Sequence, residues 1–150
     1  MPTILIGADT PSGLAIAEGL ISDASELRLF VSDSAAVSNL KTRGAKVAVG
    51  DLSDSAHLAA ASLQTFCAIL VTQAARDGRE LAFAKTPDDA LEQWAEAMLD
   101  AGIHRIIWVD DDPIPQIALR AREVASVAVA GRSLQEMVAE VLRLESSASL

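Results

Sequence analysis

The stretch Thr3-Ile4-Leu5-Ile6-Gly7-Ala8-Asp9-Thr10-Pro11-Ser12-Gly13-Leu14 decides the fold. An apolar, β-rich run enters a turn bounded by two glycines. A helical pattern follows, with Ile16, Ala17, Leu20 and Ile21 on one face. Strand, glycine turn and helix in that order open a βαβ unit.

Working outward, the alternation repeats. Further strands are expected at Leu27–Val31, Lys46–Val49, Ala68–Val71 and Arg105–Val109, with a weaker sixth at Ser126–Ala130. Near-continuous apolar strands separated by helices indicate a parallel sheet covered on both faces. Helices are expected over Gly13–Ser22, over Ser34–Arg43 with Gly44 as its cap, and over Asp54–Ser62 behind Ser53. Thr86-Pro87-Asp88-Asp89 starts another, with Leu91, Trp94, Ala95 and Met98 on its inner face and Gly102 at its end. The last carries Leu134, Met137, Val138, Val141 and Leu142, and Ser146–Leu150 reads as a frayed tail. Gln73–Lys85 is the least regular segment and reads as a mobile loop. The expectation is one α/β domain over residues 1–150. Its sheet is doubly wound and parallel, Rossmann-like, of order 3-2-1-4-5 with a sixth strand beyond, in three layers.

Composition narrows the function. The net charge of -9 repels nucleic acid and anionic lipid, and with 3% aromatic residues few rings are left for stacking on bases. No apolar run approaches a membrane span. The chain opens on a strand with no basic leader ahead of it, and Cys67 is the single cysteine, so a reducing, cytoplasmic setting is expected.

The glycine turn, the later Gly44-Ala45-Lys46-Val47-Ala48-Val49-Gly50-Asp51-Leu52 and the helix end Ala101-Gly102 leading into Arg105–Val109 together carry a likeness. In this order and spacing they resemble the NmrA-like, atypical short-chain dehydrogenase/reductase family over roughly residues 3 to 110. The resemblance implies NAD or NADP as cofactor. Family members usually continue into a substrate-binding part beyond the length of this sequence.

The cofactor-binding candidates follow from that likeness. In the Gly-x-x-Gly-x-x-Gly loop, Gly7 and Gly13 match the first and third positions, and Thr10 replaces the middle glycine. Thr10 should obstruct the approach of a pyrophosphate, Pro11 removes an N–H donor, and Asp9 adds negative charge, while the hydroxyls of Thr10 and Ser12 compensate in part. Asp33 follows Gly13 by 20 residues, where an acid takes the adenosine ribose and prefers NAD over NADP; Ser32 precedes it. Asp51 and Leu52 match the place beside the adenine, and Thr72 follows the fourth strand. Helix and turn capping explains Asp33 and Asp51 equally well.

The tyrosine-dependent acid catalysis of short-chain reductases is absent. They usually use a Tyr-x-x-x-Lys pair, and this chain has no tyrosine; its lysines, Lys41, Lys46 and Lys85, all precede the fifth strand. The catalytic residues are therefore unknown from sequence. Asp110-Asp111-Asp112 stands where the family often has serine. It reads as a cation or amine site, or with Asp112 capping a helix begun by Pro113. His57 reads as exposed, His104 as a turn residue, and their spacing makes no metal site. Cys67 reads as a buried small residue. Arg76, Arg79 and Lys85 read as solvated loop charges, or as partners for a phosphate or carboxylate.

Three functions stay open. The first is a non-catalytic dinucleotide-binding domain, a sensor. The second is a reductase of a flavin or quinone-like acceptor, with solvent supplying the proton. The third is a pseudo-enzyme interaction module that has lost its cofactor. The apolar stripe of Leu91–Leu99 also suits a homo-oligomer.

Overall fold

The computed structural model describes residues 1–22 and 26–150. Strands β1 (Thr3–Ile6), β2 (Leu27–Val31), β3 (Lys46–Val49), β4 (Cys67–Val71), β5 (Arg105–Val109) and β6 (Glu123–Val127) form one sheet. Its order is β3-β2-β1-β4-β5-β6, with every pairing parallel. The chain winds one way from β1 to β3 and the other way from β4 to β6. The crevice at the carboxyl ends of β1 and β4 is therefore the switch point where such sheets bind ligands.

Period-two alternation sends side chains to opposite faces. Leu5, Leu29, Ile69 and Ile107 join α1 (Pro11–Leu20), α2 (Ser38–Thr42) and α6 (Leu134–Ser146) in one core. Ile4, Ile6, Phe30, Leu70 and Trp108 join α3 (Ser55–Ala61), α4 (Gln73–Arg76) and α5 (Pro87–Asp100) in the other. Three layers result. No described helix is long and apolar enough to cross a membrane.

Several boundaries depart from expectation for local reasons. The second helix opens as a separate 3-10 turn, Ser34–Val37, whose N-cap is Asp33. Asp54, not Ser53, caps α3, because its carboxylate accepts from His57 N–H. The sixth strand begins three residues early, because the sheet accepts polar Glu123 opposite Arg105. Gln73–Lys85 starts with α4 and is then held by hydrogen bonds, so it is not the loose loop its sequence suggests. The tail is also pinned. Arg105, 1% exposed, donates to the carbonyls of Leu144, Glu145 and Ser147, and Leu150 N–H reaches Glu123.

Candidate functional site

The glycine turn keeps two of the three geometric roles of a dinucleotide loop. Gly7 has φ +93°, and a Cβ there would stand 2.9 Å from both Ala74 Cβ and Val71 O. A Cβ on Gly13 would stand 2.0 Å from Gly7 O, so only glycine lets α1 pack this close to β1. Thr10, at the middle position, is turned inward. Its hydroxyl donates to Gly7 O and accepts from Gly13 N–H, capping α1. Leu14 N–H goes to Thr10 O, Gly13 N–H to the Thr10 hydroxyl, and Pro11 has no N–H; among the described residues the Ser12 N–H at the head of α1 meets no acceptor.

Ser12 lines a cavity of about 250 Å³ with Val71, Thr72, Gln73, Val109 and Asp110. Thr72 Oγ1 donates to Val109 O, fixing the ends of β4 and β5. Arg76 donates from one nitrogen to both Asp110 oxygens at 2.8 Å, and also meets Asp112 at 3.2 Å. Asp111 accepts from Val129 and Ala130 N–H, and these bonds hold its carboxyl below the usual range. Asp112 caps no helix: the next element is a 3-10 turn, Gln116–Arg120, and its N-cap is Pro115. The acidic triplet thus supplies an arginine clamp and a strand tie. Among the described residues no group of acids, histidines and cysteine could hold a metal ion.

The other half of the crevice is crossed by the segment after α4. Arg79 NH1 lies 2.8 Å from Asp9 Oδ2 and 3.1 Å from Ser32 Oγ. Ala82 N–H donates to Asp51 Oδ2 and Phe83 N–H to Ser53 Oγ, at 2.9 Å each. Asp51 Oδ1 accepts from the backbone and hydroxyl of Ser53. Burial works to raise the Asp51 pKa, but the bonds from Ser53 and Ala82 outweigh it and hold the carboxyl below its ordinary value. Leu52 is buried, and its carbonyl accepts from Trp94 Nε1 on α5. Asp33 accepts from Ala35 N–H, so the capping roles foreseen for Asp33 and Asp51 are both filled.

The structure therefore separates the candidate residues. Ser12 and Thr72 face the open cavity, while Asp9, Ser32, Asp33, Asp51 and Leu52 lie along the crossed half. Arg76 and Arg79 proved to be ion-paired rather than free loop charges. Beside the local Arg79–Asp77 pair, their partners Asp110 and Asp9 sit 34 and 70 residues away, a distance no local pattern bridges. His57 is half-buried, edge-on to Phe30, rather than exposed. Cys67 is buried as expected, and burial pushes its thiol up to about 12.

The sequence matches the NAD(P)H-binding family over residues 7–140. The chain belongs to that family. No curated protein matches it. Among solved structures it is similar to ChuY, an anaerobilin reductase from Escherichia coli O157:H7, at 14% identity and TM-score 0.71, covering 99% of this chain and 92% of that one. It is similar to Citrobacter sp. triphenylmethane reductase complexed with NADP(H), at 16% identity and TM-score 0.61, covering 95% of this chain and 45% of that one. It is similar to the Escherichia coli NADPH-dependent quinone oxidoreductase QOR2 complexed with NADPH, at 17% identity and TM-score 0.59, covering 96% and 45%. The chain thus spans less than half the length of the last two. At these identities the likeness is one of fold.

Proposed function

We propose that this chain binds a nicotinamide dinucleotide across the switch point, with NAD(H) favoured, as a non-catalytic domain that senses the cofactor. The observation that supports it is the retained Gly7–Gly13 turn, which leaves the Ser12 N–H at the head of α1 on the margin of an open cavity. In this reading Gly7, Thr10, Pro11, Ser12 and Gly13 form the pyrophosphate turn. Asp9, Ser32 and Asp33 lie toward the adenosine ribose, Asp51 and Leu52 toward the adenine, and Thr72 on the nicotinamide side. The domain senses the bound cofactor and does not turn it over. The protein's residues orient it and shield it from water. A cytoplasmic setting suits the lone buried Cys67.

NADH should raise the melting temperature as RT ln(1 + [L]/Kd) requires for native-state binding. Ser12→Asp, which sets a carboxylate against the pyrophosphate at the start of α1, should abolish that rise, with the melting transition of the free variant checking that it folds. No shift with either NADH or NADPH at millimolar concentration overturns the proposal.

A reductase acting on a flavin or quinone-like acceptor is the second reading, and one observation favours it. A neighbouring cavity of about 380 Å³, lined by Leu91, Trp108, Pro113 and Pro115, shares Arg76 and Asp110 with the first. Trp108 Nε1 is buried and has no hydrogen-bond partner among the described residues. Room for an acceptor beside the nicotinamide is what this chemistry requires. Oxidation of NADH on adding a quinone, absent with cofactor alone, distinguishes it from a sensor.

A further inference from the structure

An unexplained feature of the crevice is where Asp9 goes. The sequence suggests a charge facing the phosphates. Instead its side chain, 4% exposed, turns toward the end of β2. There Oδ2 accepts from Ser32 N–H at 2.9 Å, Asp33 N–H at 3.2 Å and Arg79 NH1 at 2.8 Å. Two successive backbone N–H groups, a guanidinium and the nearby Ser32 hydroxyl make an anion-binding concavity. It lies where the adenosine ribose is held in this fold, and where an arginine takes the extra phosphate of NADP.

Arg79 presents no free two-nitrogen fork to such a phosphate. Its Nε and NH2 fork onto Asp77 at 2.9 and 2.6 Å, and its NH1 is shared between Asp9 and Ser32. An arginine that recognises phosphate presents an open fork. Here the fork is closed by Asp77, and the anion position is filled by Asp9. Asp33, the residue that sequence alone credits with the preference, points its Oδ1 at Ala35 N–H to cap the 3-10 turn.

We infer that Asp9 is the residue that sets cofactor specificity: its carboxylate occupies the chain's own 2′-phosphate site and makes the protein selective for NAD(H) over NADP(H). The inference rests on the proposed dinucleotide binding, but the concavity itself can be tested without it. Removing the carboxylate oxygens of Asp9 frees two amides and the NH1 of Arg79 for an external anion, while the neutral ribose hydroxyl of NAD needs none of them.

The test uses the whole chain and Asp9→Ala, which removes both carboxylate oxygens and empties the concavity, with Asp9→Ser as a second variant if the first does not fold. Wild type should bind NADH at least tenfold more tightly than NADPH. The variant should lower that ratio at least tenfold, mainly by tightening NADPH. A wild-type preference for NADPH, or a ratio unmoved in the variant, overturns the inference. Inorganic phosphate is the independent probe, read on the Ser32 and Asp33 amide resonances. Wild type should show no saturable shift and the variant a saturable one in the millimolar range. If no dinucleotide binds either protein but phosphate saturates the variant, the proposed function fails and the filled anion site stands. If phosphate saturates wild type or leaves the variant unmoved, the anion site fails.

Discussion

The two halves of the crevice are built from the same sheet edge but handle their polar groups differently. On the β4–β5 side, Ser12 and Thr72 line an open cavity, and the charged groups pair with each other at its rim. On the β1–β2–β3 side, Asp9 and Asp51 instead bind a segment of the chain itself. A fold-level likeness to dinucleotide-binding reductases covers both sides alike. The difference between them shows that a family loop can be kept as architecture while the groups around it are turned to internal use.

Breaking the turn that both halves share should have the largest effect. Gly13→Ala puts a methyl 2.0 Å from Gly7 O, inside backbone that cannot yield, and should cost about 3 kcal/mol or more in urea denaturation. Next comes the open side. Arg76→Leu leaves Asp110, whose side chain is 7% exposed, without its cation, and should cost about 1–2 kcal/mol after allowance for the half-exposed arginine. Asp51→Ala acts on the crossed side. It should speed hydrogen exchange of the Ala82 and Phe83 amides at least tenfold and leave Val71 unchanged, because it releases only the segment after α4. Equal acceleration on both sides would dissolve the contrast.

The smallest effect is one of pH. The folded-state pKa of Asp51 lies below its unfolded value of about 4. Its contribution is therefore complete above that pH and is lost as pH falls through the folded value. The Ala82 amide should lose protection in acid below about pH 4, and in Asp51→Asn that dependence should flatten.

Sheet order, both faces and the glycine turn were legible because they rest on short-range patterns. Val71, Leu70 and Ile69 are apolar at every position, so β4 announces a strand buried on both faces. Thr86-Pro87 marks the start of α5 by local capping alone. Glu123 hid the start of β6, since a polar first residue makes sense only once Arg105 lies opposite. The crossing of the site was invisible for a related reason. Arg79 gains its meaning from Asp9 and Ser32, which only the finished sheet brings near it. Thr10 shows a subtler limit: its hydroxyl caps α1, so the substitution that sequence reads as an obstruction also completes the helix start.

Trp94 hydrogen-bonds to the Leu52 carbonyl beneath the crossed side, and Trp108 lines the cavity adjoining the open one. With two tryptophans and no tyrosine in the chain, ultraviolet emission comes from these indoles. Each side thus carries its own lamp. Replacing either ring by phenylalanine leaves a single-colour reporter for events at one end of a bound molecule, with no dye attached.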